Sequence, residues 1–178
     1  MSKKVVIISS TPRKNGNSQI LCEAFGKGAK EAGNEVKLIS LREYKINYCV
    51  ACYGCSSTGK CVQNDGMNEI LGKMLEADIL VFATPIYMYD VCGQLKTFID
   101  RNLPKYEEIK NKDMYYIATC AENDKNAIES SILTIKGLLE CYEDVRLKDV
   151  VYGIGLHGEG EALDSEFYNE AYELGQNV

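Results

Sequence analysis

Residues 5–18 read Val-Val-Ile-Ile-Ser-Ser-Thr-Pro-Arg-Lys-Asn-Gly-Asn-Ser. A fully apolar run passes straight into a short loop of hydroxyls, amides and one guanidinium, which is how an α/β protein builds a cradle for phosphate. Ser9, Ser10, Thr11, Asn17 and Ser18 offer donors, and Arg13 offers charge and a planar fork. The helix expected from about Asn17 turns its free N–H groups toward that loop. The same residue types also serve as ordinary turn and cap chemistry between a strand and a helix. Two sharper nucleotide signatures are absent where they would count: no G-x-x-x-x-G-K-[ST] occurs, and the first loop lacks G-x-G-x-x-G. A literal match at Gly153-Ile-Gly155-Leu-His-Gly158 leaves 20 residues after it, too few for a βαβ unit, and reads as a flexible loop.

Outward from this stretch, apolar runs at Val5–Ile8, Val36–Leu41, Ile79–Ala83, Met114–Thr119 and Val145–Tyr152 read as five strands. The first and third are apolar enough to be buried on both faces. Helical spacing separates them, most clearly at Met67, Ile70, Leu71, Met74 and Leu75 and at Ile128, Ile132, Ile135 and Leu139. Further helices are expected near Asn17, Gly93 and Glu161. Alternation of strand and helix implies a doubly wound, five-stranded parallel sheet in one domain spanning residues 1–178. Ligands of such sheets bind beyond the carboxyl ends of the strands, so the loops Ser9–Ser18, Thr84–Cys92 and Cys120–Lys125 should converge. In the second, Thr84-Pro-Ile-Tyr-Met-Tyr-Asp, Pro85 stiffens the exit from the strand and large side chains follow. Ile86, Tyr87 and Met88 suit contact with a flat aromatic ligand.

Composition bounds the function. The 178 residues are 46% hydrophobic, enough for a real core. Net charge is −6, with no basic block, which argues against nucleic acid as a partner. No run approaches the ~18 apolar residues of a membrane span, and Met-Ser-Lys-Lys leads into a strand rather than a secretory signal, so a cytoplasmic protein off the membrane is expected. The single histidine, His157, leaves triads and histidine metal centres poorly supported.

A planar ring near the second loop and a phosphate near the first describe FMN. Ser10-Thr-Pro-Arg13-Lys-Asn-Gly-Asn-Ser18 followed by Pro85-Ile-Tyr-Met-Tyr-Asp-Val-Cys-Gly-Gln-Leu-Lys-Thr-Phe-Ile-Asp-Arg101 resembles the flavodoxin-like NAD(P)H-dependent FMN reductase family. The resemblance implies strand order 2-1-3-4-5. It implies that Ser10, Arg13, Asn17 and Ser18 hold the FMN phosphate, that Pro85, Ile86, Tyr87 and Met88 contact ribityl and isoalloxazine, and that Thr119 and Cys120 lie near the ring. It also implies a homodimer or homotetramer. No catalytic side chain is expected, because hydride passes from NAD(P)H to the flavin itself and the protein orients the partners. Gly93–Asp100 reads simply as an amphipathic helix that positions the loop.

Four of the eight cysteines, Cys49, Cys52, Cys55 and Cys61, stand within thirteen residues, in a loop at 42–65. Four soft ligands can close a tetrahedral zinc site or a [4Fe–4S] cluster, and C-x2-C-x2-C favours the cluster. The same spacing resembles the iron–sulfur flavoprotein branch of the family, although Asp65-Gly-Met67 departs from the Asp-Asp-Met common there. Free thiols packing near the flavin or a dimer partner, with Tyr48 and Tyr53 lining the contact, are the other reading. Cys22, Cys92 and Cys141 are expected to be small buried hydrophobes. Three functions follow: an enzyme passing electrons from NAD(P)H through FMN to flavin, quinone or another small acceptor; a carrier relaying single electrons from ferredoxin through a cluster to FMN; and a non-enzymatic, FMN-binding thiol redox sensor.

Overall fold

The computed structural model describes residues 2–178 as a parallel sheet covered by helices on both faces. The strands are β1 (Lys4–Ser9), β2 (Glu35–Ser40), β3 (Ile79–Tyr87), the two-residue β4 (Asp90–Val91), β5 (Lys110–Thr119) and β6 (Glu143–Gly153). The helices are α1 (Asn17–Glu31), α2 (Met67–Glu76), α3 (Gly93–Asp100), α4 (Asn126–Leu139) and α5 (Glu166–Gln176). The sheet order is β2-β1-β3-β5-β6, all parallel, with β4 antiparallel to the end of β3. Counted over parallel strands alone this is the expected 2-1-3-4-5 flavodoxin-like arrangement.

Strand periodicity explains the two layers. In β1, Val6 and Ile8 face one core and Val5 and Ile7 the other; β3 divides Leu80 and Phe82 from Ile79, Val81 and Ala83 in the same way. The first core is covered by α2, α3 and α4 through Ile70, Met74, Leu95, Phe98, Ile128 and Ile135. The second is covered by α1 and α5, with Leu21, Phe25 and Ala171 buried. Strands buried on both faces carry no polar alternation, whereas the edge strands β2 and β6 keep exposed residues such as Glu35, Lys37, Arg146 and Lys148 among their half-buried and buried ones. On the second face α1 and α5 meet backbone to backbone. A Cβ on Gly28 would overlap the Tyr172 carbonyl oxygen, and one on Gly175 would overlap that of Phe25.

Several expected boundaries move. The stretch from Thr84, expected as loop, continues as strand to Tyr87 and folds back as β4, because past Ala83 the chain finds a partner in its own return. Pro85 sits in this extension without loss. Its parity matches that of Ala83, whose carbonyl accepts from Ser10 N–H, so the missing N–H faces the side where β1 has ended. The helix expected near Glu161 is a single 3-10 turn, Glu161–Asp164, and α5 begins at Glu166. Cys22 and Cys92 are buried as expected, but Cys141 is exposed just beyond the end of α4.

The cysteine segment, residues 45–65, carries no regular strand or α-helix and is held by one buried ion pair. Arg101, the residue after α3, is 1% exposed and grips Asp65 with two nitrogens, Nη1 at 2.7 Å and Nη2 at 2.9 Å. Nη1 also donates to the Asn47 carbonyl. Asp65 in turn accepts from the backbone N–H of Asn47 at 3.1 Å and of Met67 at 3.4 Å. Both ends of the loop are thus tied to one guanidinium. Burial alone would push the Asp65 carboxyl up, but the Arg101 bonds and the two N–H donors outweigh it and hold it below the ordinary carboxylate range.

Replacing Arg101 by Met leaves a buried carboxylate without its cation, and urea unfolding should show a loss of about 3–5 kcal/mol. Because the Asp65 carboxyl is depressed in the folded state, its contribution is present above the unfolded value of about 4 and is lost as pH falls through the lower folded value. The stability difference between the wild type and Asp65→Asn should therefore shrink on acidification; a difference constant down to low pH would contradict the pairing.

Candidate functional site

The carboxyl ends of β1, β3 and β5 bring three loops together. Ser10 ties the first two: its N–H and its Oγ both donate to the Ala83 carbonyl, at 3.0 Å and 2.7 Å. Cys92 Sγ lies 3.2 Å from Ser10 Oγ, closing the far side of the hairpin onto the same residue. Thr84 Oγ1 accepts from Cys92 N–H at 3.1 Å and donates to the Pro85 carbonyl at 2.9 Å.

In the first loop α1 starts on Gly16 with no side-chain cap. The N–H groups of Asn17 and Ser18 therefore meet no acceptor among the described residues and remain open to an anion. Gly16 is buried beneath the loop, where a Cβ would come within 2.6 Å of Thr11 Oγ1. Ser18 Oγ is fully buried and has no partner, an orphaned hydroxyl of the kind a ligand oxygen would satisfy. Arg13 is exposed at the rim and makes no ion pair among the described residues. A carboxylate already reaches this rim, since Glu159 Oε1 accepts from Asn15 N–H at 3.2 Å. Asn17 uses its side chain otherwise. Nδ2 donates to the carbonyls of Leu156 and Gly158, and Oδ1 accepts from Ala162 N–H. This corrects the expectation of a flexible loop at 153–158: it is pinned to the start of α1, and also through Gly155 N–H to the Glu122 carbonyl and Leu156 N–H to that of Cys120.

The second loop is a tight hairpin whose two turn residues, Met88 and Tyr89, have φ of 50° and 64°. Turns with φ positive at both central residues ordinarily use Asn-Gly, and a residue with a Cβ costs roughly 1–2 kcal/mol in that region. Strain of this kind collects at functional sites. Asp90 fastens the hairpin by accepting from Thr134 Oγ1 at 3.0 Å and Ser130 Oγ at 3.3 Å on α4. Ile86 is half-buried, while Tyr87 is exposed and Met88, at 98%, is wholly in solvent. Thr119 and Cys120 close β5 beside it, both buried; burial pushes the Cys120 thiol up, and the backbone of Glu122 and Gly155 only partly opposes this.

Cys49, Cys52, Cys55 and Cys61 line one pocket, together with Arg101, Leu103 and Pro104. All are free thiols, and no three described His, Cys, Asp or Glu side chains are gathered closely enough to hold a single metal ion. A cubane binds each thiolate at a different iron, so its ligands stand farther apart than the four around one zinc. Four soft donors on a common pocket are of the ligand type that such a cluster takes. Ala51 and Tyr53 hold positive φ of 52° and 56° between these cysteines, so this loop too is strained. The sequence reading did not single out Ala83, Thr84, Asp65 or Arg101 as site residues; nothing in residue type or spacing marks a carbonyl that anchors a loop, or an arginine that closes one.

Among the described residues no helix is long and apolar enough to cross a membrane. The chain is 42% identical over 101 residues to an iron–sulfur flavoprotein of Archaeoglobus fulgidus, covering 57% of this chain and 46% of that protein. It is 40% identical over 101 residues to one of Methanocaldococcus jannaschii, covering 57% and 52%. It thus spans about half the length of the curated relatives it matches. Its fold is similar to that of an NAD(P)H:quinone oxidoreductase from Methanothermobacter marburgensis, with a TM-score of 0.79, 19% identity and coverage of 99% and 96%. The family model described as NADPH-dependent FMN reductase matches residues 3–134, a span that takes in the first loop, the cysteine segment and the hairpin. Since that match runs through most of the sheet, the chain belongs to the NADPH-dependent FMN reductase family.

Proposed function

We propose that this chain binds FMN at the carboxyl edge of its sheet and works as an FMN-dependent oxidoreductase, taking electrons from NAD(P)H and passing them to flavin, quinone or another small acceptor. The observation that carries the reading is the uncapped start of α1, with a buried, partnerless Ser18 hydroxyl, clamped by Ser10 to a strained apolar hairpin. When bound, FMN supplies hydride acceptance and transfer of electrons singly or in pairs. The N–H groups of Asn17 and Ser18, Ser18 Oγ and the Arg13 guanidinium would receive its phosphate. Ser10 and the Asn17 side chain would fix the shape of the cradle. Pro85 to Met88 would contact ribityl and ring, with Thr119 and Cys120 near the ring. The exposed Met88 and Tyr89 leave room for a nicotinamide or an acceptor, or for a second copy of the chain in a homodimer or homotetramer.

A second reading is favoured by the cysteine pocket: an iron–sulfur flavoprotein in which Cys49, Cys52, Cys55 and Cys61 hold a [4Fe–4S] cluster that receives single electrons from ferredoxin. Protein purified without oxygen separates the two. Flavin bands bleached by NADPH mark the reductase. Broad brown absorption with about four iron per chain, slow reaction with NADPH and fast reaction with reduced ferredoxin mark the carrier. A protein that takes up no flavin contradicts both.

Two substitutions test the phosphate cradle. Arg13→Ala should weaken FMN binding about tenfold, the value of one charge-assisted bond. Ser18→Ala should weaken FMN binding severalfold while leaving the apoprotein equally or more stable, because it removes a buried hydroxyl without a partner. Unchanged affinity in both variants, by fluorescence titration, would remove the phosphate from this loop.

A further inference from the structure

One nitrogen of Arg101 makes no hydrogen bond. Nη1 and Nη2 serve Asp65 and the Asn47 carbonyl, whereas Nε is fully buried and has no partner. A buried guanidinium N–H without an acceptor is costly, which makes it a ready donor to whatever the pocket it lines holds. The side chain lines the pocket shared by the four cysteines, and Cys61 is the thiol beside the guanidinium.

We propose that Arg101 is a positioning residue for the group held by Cys49, Cys52, Cys55 and Cys61, its free Nε–H donating to a sulfur at that site while its other nitrogens close the loop. The role rests on the iron–sulfur reading of those cysteines. Thiolate sulfur carries negative charge and accepts hydrogen bonds, and its charge rises when an attached cluster is reduced. A fixed N–H donor in a buried setting therefore favours the reduced form, one of the ways in which proteins set cluster potentials. Asp65 holds the guanidinium in register: a planar fork engaged on its Nη edge can turn its Nε only one way, whereas a lysine at this place would offer no fixed third donor. One residue thus shapes the loop and tunes what the loop holds.

The test uses the whole chain, loaded anaerobically with ferrous iron and sulfide. Wild type labelled with 15N-arginine, with its cluster reduced, should show a nitrogen coupling and an exchangeable proton coupling by pulsed electron paramagnetic resonance. Arg101→Lys should still load iron, but its one-electron reduction equilibrium should shift three- to tenfold against the reduced form, tenfold being 59 mV. If wild type loads about four iron per chain and shows no arginine nitrogen coupling, the role of Arg101 is overturned while the cysteine site stands; an unshifted Arg101→Lys midpoint has the same meaning. If Arg101→Lys fails to fold, the labelled wild type alone decides. A wild type that takes up no iron overturns the cysteine reading, and this role with it.

Discussion

Ser10 is the point on which the rest of the carboxyl edge depends. Two strands far apart in sequence, β1 and β3, leave the sheet side by side because the order is β2-β1-β3, and Ser10 locks their exits by giving the Ala83 carbonyl both its N–H and its hydroxyl. Cys92 then closes the hairpin from behind, with its sulfur against the same hydroxyl. This small buried cluster sets the distance between an open helix start and an apolar turn. A phosphate-bearing aromatic ligand needs one at each end. Because Ser10 is wholly buried, its bonds are not shared with water, and the geometry is fixed before any ligand arrives.

The chain from Thr84 to Arg101 extends that order to the cysteines. It forms the hairpin, turns at Cys92 into α3, and ends on the arginine that grips Asp65. An eight-residue helix is roughly 12 Å long, so the two candidate sites sit at opposite ends of one short rigid rod. Phe98 and Leu95 hold that rod against the sheet, and Phe98 meets Phe82 edge to face at 5.6 Å. The arrangement gives a physical reason for a cysteine loop after β2 to lie close to a flavin loop after β3. In the proposed reading, electrons would cross that interval.

Much of this was legible in the sequence. Val5–Ile8 and Ile79–Ala83 have no polar alternation, which only a doubly covered strand tolerates, and the helical spacing at Met67–Leu75 and Ile128–Leu139 marked two helices of the layer over one face. The loop composition of Ser9–Ser18 pointed to the candidate anion site proposed above. What sequence could not convey was the division of labour within it. Ser10, Asn17 and Ser18 are alike as donors on paper, yet Ser10 bonds across to β3, the Asn17 amide pins Leu156, Gly158 and Ala162, and only Ser18 keeps its hydroxyl free. Such differences arise from contacts more than 70 residues away in sequence. The hairpin was hidden for another reason. Met88-Tyr89 lacks the glycine or asparagine that announces a turn with positive φ, so its strained conformation contradicts local preference. Cys141 was misplaced because a cysteine just past the end of a helix carries no periodic signal of which way it faces.

The central claim is that the first loop recognises phosphate. Comparing the affinities of the apoprotein for FMN and for riboflavin, which differ in that one group, tests it most directly. Two or more charge-assisted bonds to the phosphate predict that FMN binds about a hundredfold tighter or better, with the preference narrowing as salt is raised. Equal affinities would mean that the ring alone is bound and that the loop after β1 is turn chemistry and nothing more.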